Sequence, residues 1–183
     1  MIILCRLLPP SLAIAGIVAA VCLPISEARA QAWVTFSPPG GDFSVQLPTQ
    51  PKASLMQSTS FIGDITDHVF TAPSGTDLFT VTYSKLPRFA LDFAGADTVY
   101  EHAKGALLRQ TLSKPISFTN VSASGRSGKK LLYQLPPVPG KPPSVGEAHF
   151  FLVDDRVIVA DAIVPSGGGE PRAQRFLDSI QFE

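Results

Sequence analysis

The sequence predicts an α+β fold, a mostly antiparallel β-sheet with helices packed on it. Three observations support this prediction. The elements follow the order strands, helix, strands, helix, and the segments between neighbouring strands have hairpin length. The strand segments alternate apolar and polar residues with period two, whereas two other segments carry apolar residues at helical spacing. Residues 31–183 are enough for one core, so we expect a signal peptide over residues 1–30 and a single α+β domain over 31–183.

The first thirty residues have the pattern of a secretory signal. The segment 11–25 is apolar, and Ala28 and Ala30 form the small-x-small motif that signal peptidase accepts. An anchor that spans a bilayer needs about 20 apolar residues, and this run is shorter and contains Pro24. Cleavage after Ala30 is therefore favoured, and no stable membrane span is expected after cleavage.

Both cysteines of the chain, Cys5 and Cys22, lie within this signal. The mature protein would have no disulfide, no thiolate nucleophile and no cysteine-ligated metal. This pattern fits a bacterial envelope, and we predict a periplasmic or secreted protein. Lipidation at Cys22 is an alternative, although Val21 stands where that processing needs a small residue.

The charge composition argues against a nucleic-acid partner. The chain has 15 Lys and Arg residues against 15 Asp and Glu residues, for a net charge of zero. No basic stripe remains to neutralise phosphates, so we expect no nucleic acid among its partners.

The region before the first helix predicts a series of strands. Residues 33–47 form two short strands around a Pro-Pro-Gly-Gly turn, 53–72 one or two more with a turn near Gly63, and 77–87 another. The predicted core-facing side chains of the second and last of these strands are Phe43, Val45, Leu47, Phe79, Val81 and Tyr83.

A first helix is predicted from about Asp97, with Asp97 as N-cap and Glu101 in the first turn. Leu108 and Leu112 lie off its apolar stripe, so either a second element covers them or they form a small exposed patch. The stripe consists of Ala96, Val99, Tyr100, Ala103, Ala106 and Leu107.

The second half predicts a strand pair, a hairpin and a helix. The pair covers 116–124 and 129–135, and the segment Pro136–Ser144 after it is either a rigid connector or a docking segment. Strands at 147–153 and 156–165 form the hairpin, and the second is apolar on both faces, which is typical of a central strand. Pro171 fits the first turn of the last helix, whose buried stripe is Ala173, Phe176, Leu177 and Ile180.

Two short motifs carry a family resemblance. FSVQLPTQP at 43–51 and RFLDSIQF at 175–182 resemble signatures of exported bacterial proteins with PsbP-like and DcrB-like domains. The resemblance implies an α/β/α sandwich around an antiparallel sheet, in a family dominated by non-catalytic accessory and uncharacterised proteins. Members often have an aromatic residue where this chain has Ile180. Residues matching the metal sites of photosynthetic members are not found, so no metal is carried over.

Asp161 is the lone charge within an apolar run, and a buried carboxylate needs a partner. A two-residue turn at Asp154-Asp155 places Ala148 opposite Asp161, whereas a three-residue turn places His149 there. The two registers stay open at this point. An Asp161–His149 pair would be a candidate binding site, and a structural ion pair or a solvated strand end is the competing interpretation.

Other groupings are interpreted as structural. Ser127 and Lys130 have S-x-x-K spacing, but they fall in a predicted turn rather than on a helix. Asp64, Asp67 and His68 are expected in a solvated loop, and Glu147 with His149 at an exposed strand edge. We therefore predict no catalytic constellation, no metal and no cofactor.

Taken together, these patterns favour an exported, non-enzymatic binding or accessory domain of the bacterial periplasm. Its expected partner is an envelope protein or a small ligand. A periplasmic hydrolase with a site assembled from scattered residues is one alternative, and a lipid-anchored envelope interaction protein is another.

Overall fold

The computed structural model describes residues 32–60 and 63–183. The predicted signal peptide, with Ala28, Ala30 and Cys22, lies outside these residues. Among the described residues, no helix has the length and apolar character needed to cross a membrane. The α+β prediction is confirmed, since an antiparallel sheet dominates and two helices pack on it.

The strands come first in the chain and again after the first helix. They are β1 (Val34–Phe36), β2 (Phe43–Leu47), β3 (Lys52–Ser60), β4 (Gly63–Ser74), β5 (Asp77–Lys85), β6 (Lys114–Ala123), β7 (Arg126–Gln134), β8 (Ser144–Val153), β9 (Arg156–Pro165) and β10 (Gln181–Phe182). The helices are α1 (Arg88–Thr111) and α2 (Glu170–Asp178). Among the strands of residues 32–60 and 63–183, only the two-residue β10, which pairs with β2, has no counterpart in the sequence prediction.

The large sheet has seven antiparallel strands in the order β3-β4-β5-β9-β8-β7-β6. β9 is its middle strand, as its apolar character on both faces predicts. The turn between β8 and β9 contains two residues, because Val153 pairs with Arg156. In this register Ala148 lies opposite Asp161, which decides between the two alternatives.

The two faces of this sheet are covered by different elements. On the α2 face, the three-stranded sheet β1-β2-β10 and α2 bury a core that includes Phe43, Phe79, Phe151 and Phe176. On the α1 face, Tyr100 of α1 packs into a second cluster with side chains of β7 and β8. Successive strand residues point to opposite faces, so the register assigns each side chain of the sheet to one of these two cores.

Helix α1 begins earlier than predicted. It starts at Arg88 directly after Pro87, and Gly95 within it has a non-helical φ of 70°. The prediction that Asp97 is the N-cap is wrong by two residues, because the non-helical residue before the segment that contains Asp97 is Gly95. Leu108 packs against the α1-face cluster, whereas Leu112 has a left-handed φ of 53° and is exposed.

The predicted stripe of α1 is confirmed in part, since Ala103 and Leu107 pack against the buried clusters beneath the helix. Val99 and Tyr100 are buried, while Ala96 and Ala106 are exposed. Helix α2 agrees with its prediction more closely, with Pro171 in the first turn and Ala173, Phe176 and Leu177 buried. Ile180, just after the helix, is fully buried in the same core.

Candidate functional site

His149 lies inside the sheet rather than at the exposed strand edge predicted for it. It is buried on β8, and its Nε2 is 3.0 Å from Oε1 of Glu147. Lys130 of the neighbouring strand β7 places Nζ 3.9 Å from the same carboxylate oxygen. The hydrogen bond from His149, with a further contribution from Lys130, lowers the pKa of Glu147. These three residues form a polar cluster on the α2 face.

Asp161 lies on the opposite face of the sheet and has a different partner. The hydroxyl of Tyr133, on β7, donates a hydrogen bond of 2.7 Å to Oδ1 of Asp161. Burial raises the pKa of Asp161 to about 7, although the bond from Tyr133 acts to lower it. Burial and the neighbouring Asp161 also raise the pKa of Tyr133. The candidate pair of Asp161 with His149 does not form, because the register places them on opposite faces.

The predicted loop cluster around His68 is part of a strand. Asp67 and His68 lie on β4, and Asp67 accepts a hydrogen bond from the hydroxyl of Ser84 on β5. His68 points to the other face, since it is the next residue along the strand. Within residues 32–60 and 63–183, no group of three acidic, histidine or cysteine side chains could hold a metal ion.

His68 instead lies at the rim of a surface groove, here called the His68 groove. The groove has a volume of about 310 Å³. Its floor is aromatic, because Phe70 and Tyr83 are both buried beneath it. The lining residues are Pro39, Ala53, Ser54, Leu55, His68, Phe70 and Tyr83.

The strand register explains how these residues meet. His68 on β4 is directly opposite Tyr83 on β5, and their rings stack with centroids 4.5 Å apart and planes within 1° of parallel. The Tyr83 hydroxyl donates a 2.6 Å hydrogen bond to the carbonyl of Pro39. This bond fixes the loop between β1 and β2 as one wall of the groove. The opposite wall is β3, where Leu55 is 66% exposed.

The chemistry of the groove is that of a contact surface for an uncharged, apolar group. Its lining has no acidic or basic side chain apart from the imidazole of His68. Phe70 and Tyr83 offer ring faces and edges for packing, and His68 supplies one polar contact at the rim. Such lining is typical of sites that bind by burial of apolar surface with a few orienting polar groups.

Sequence reasoning did not find this groove. Alternation does place Phe79, Val81 and Tyr83 on one face, but the neighbours of Tyr83 depend on two hairpin registers. The Pro-Pro-Gly-Gly turn was predicted as a turn between strands, which the structure confirms. Nothing in its composition indicates that the carbonyl of Pro39 faces Tyr83.

The strand order and the two covered faces define an α+β fold of the PsbP-like type. A cyanobacterial PsbP, CyanoP from Synechocystis, known from a solution structure, is similar in fold with a TM-score of 0.55. The match has 12% sequence identity and covers 94% of this chain and 99% of CyanoP.

A crystal structure from Bacteroides thetaiotaomicron has a TM-score of 0.51 at 14% identity. It matches 84% of this chain, which spans only 49% of the length of that protein. No protein-family model and no curated protein matches the sequence. These similarities show the PsbP-like fold.

Proposed function

We propose that this chain is an exported, non-enzymatic accessory domain of the bacterial envelope, related to the PsbP-like and DcrB-like proteins. In this proposal, the His68 groove binds an uncharged apolar segment of another envelope protein. The signal pattern over residues 1–30 and the fold shared with CyanoP support export and family. The observation that carries the binding role is the groove itself.

The groove supports binding for three reasons. Its aromatic floor is rigid, because Tyr83 is held by Pro39 on one side and stacked on His68 on the other. Its wall at Leu55 remains exposed, so apolar surface is available for a partner to cover. Finally, the lining lacks ionised carboxylates and amines, which would have to lose water when an apolar segment binds.

The test is site-specific photo-cross-linking in intact bacterial cells that produce the full chain. A benzophenone amino acid replaces His68 in one variant and Val69 in a matched control. Both positions are half-buried and adjacent on β4, but only position 68 faces the groove. Fractionation and sequencing of the N-terminus follow irradiation.

We expect a mature chain that begins at Gln31 in the periplasmic fraction. A discrete adduct should form from position 68 and not from position 69. The adduct should disappear when Ala53→Phe fills the groove. A chain retained in the cytoplasm would contradict export. Equal adducts from both positions, or an adduct unaffected by Ala53→Phe, would contradict the binding role.

A further inference from the structure

The strand β3 is an edge of the large sheet and leaves one side of its backbone open. It pairs with β4 along its whole length, from Lys52 opposite Thr71 to Ser60 opposite Gly63. Among the described residues, no strand pairs with its other side. Its outward-directed N–H and C=O groups therefore form a template for another strand.

The opposite edge strand, β6, carries features within the strand that disfavour pairing with another strand. β6 begins with Lys114 and Pro115, and its pairing with β7 is irregular between Pro115 and Ser117. A charge, a proline and a bulge are the features that natural proteins use to prevent edge-to-edge pairing. β3 also begins with a charge, Lys52, which directly follows Pro51. Its segment 53–57, in contrast, contains no charge and no proline, and its pairing with β4 has no bulge.

Exposed apolar side chains accompany the open backbone of β3. Leu55 is 66% exposed and Met56 is 43% exposed, although they point to opposite faces. A strand added beside β3 would cover apolar surface on both faces at once. The edge is thus suited to pairing in both its backbone and its side chains.

The sequence of β3 is complementary to itself in an antiparallel arrangement. A two-fold axis at Leu55, perpendicular to the sheet, places Leu55 of the two copies directly opposite each other. Ala53 then faces Gln57, and Ser54 faces Met56. The two Lys52 residues lie at opposite ends of the pair, separated by about 20 Å at roughly 3.4 Å per residue, beyond the Debye length of about 8 Å at physiological salt.

We propose that β3 forms the interface of a symmetric dimer, in which two copies of this chain pair antiparallel with Leu55 at the two-fold axis. The two seven-stranded sheets then join into one continuous sheet. Because the axis is perpendicular to the sheet, the two His68 grooves open on the same face. This inference goes beyond the proposed function, since the dimer offers two adjacent grooves to one partner.

Sedimentation of the purified protein over micromolar concentrations tests the dimer. We expect a reversible monomer–dimer equilibrium that Leu55→Lys weakens by about tenfold or more, because like charges opposed across strands repel and apolar contact is lost. Ile116→Lys is the matched control. Ile116 is 55% exposed on the other edge strand, and its replacement should leave the equilibrium unchanged.

The register is tested by mixing two variants. Leu55→Lys and Leu55→Glu should each be mainly monomeric, whereas an equimolar mixture should form a heterodimer, because position 55 faces itself across the axis. A monomeric wild-type protein at every concentration would overturn the proposal. So would a dimer insensitive to Leu55→Lys, or a mixture that does not associate. A monomer that still forms the position-68 adduct would overturn the dimer alone.

Discussion

Replacement of Gly146 by alanine is expected to destabilise the protein by about 3–5 kcal/mol, from overpacking of a rigid core and loss of a buried hydrogen bond. Gly146 on β8 lies opposite Tyr133 on β7. A Cβ atom at position 146 would lie 2.0 Å from Cζ of the Tyr133 ring. The ring crosses β8 at this glycine to reach Asp161 on β9, so a side chain there would displace the ring and break its bond to Asp161.

Urea denaturation followed by fluorescence measures the effect of Gly146→Ala. Gly168→Ala is the control, because no atom lies within 4 Å of a Cβ added there, and a change within about 0.5 kcal/mol is expected. In a Tyr133→Ala background, Gly146→Ala should cost far less, because the ring that it would meet is absent. Equal costs in the two backgrounds would contradict the proposed clash.

This contact illustrates which features the sequence could predict. The apolar run in β9 was enough to indicate a central strand and to show that Asp161 needed a partner. The identity of that partner was not predictable, because Tyr133 is 28 residues away and on a strand that is not adjacent to β9. A glycine in a strand indicates a close approach by another group, and Gly146 was the one local signal of this contact.

The differences between the predicted and observed positions of His149, the start of α1 and the His68 groove have a common physical cause. The sequence predicts an exposed edge for His149 because local patterns do not give the order of the strands, and β8 is an interior strand. The sequence does not predict the start of α1, because Gly95 interrupts the helical pattern between the segments on its two sides. A prediction of the His68 groove would require the β3–β4 register, the β4–β5 register and the conformation of the loop between β1 and β2. Local patterns predict elements well, whereas the sites depend on contacts between distant elements.

We therefore expect separate roles for the two faces of the sheet. The α1 face carries the Tyr133–Asp161 pair within a packed core, where the two side chains are hydrogen-bonded to each other. The opposite face carries the open groove, bounded by β3 and by the loop that contains Pro39. Substitutions on the α1 face should change stability without changing partner binding. Substitutions at His68 should change partner binding without changing stability. The two sets of variants therefore separate a folding defect from a binding defect.

The stability of the protein is expected to fall as pH rises, because of Asp161. The folded state holds the pKa of this carboxyl at about 7, above its ordinary value of 3.8. Between pH 3.8 and about pH 7, the carboxyl of Asp161 is therefore protonated in the folded state and ionised in the unfolded state. Stability from this group is complete below pH 3.8 and decreases until pH passes about 7. At 1.36 kcal/mol per pKa unit, the decrease is on the order of 3 kcal/mol between about pH 5 and pH 8.

Asp161→Asn isolates this contribution, because the amide oxygen can still accept the Tyr133 hydrogen bond and carries no charge. Denaturant unfolding at a series of pH values should show wild type losing stability relative to Asp161→Asn as pH rises. Tyr133→Phe should destabilise the protein by about 1–3 kcal/mol at high pH, because it leaves the buried carboxylate without its donor. It should also raise the pKa of Asp161 further, since the lost bond acts to lower that pKa. Parallel pH profiles for wild type and Asp161→Asn would show that Asp161 is not the titrating group.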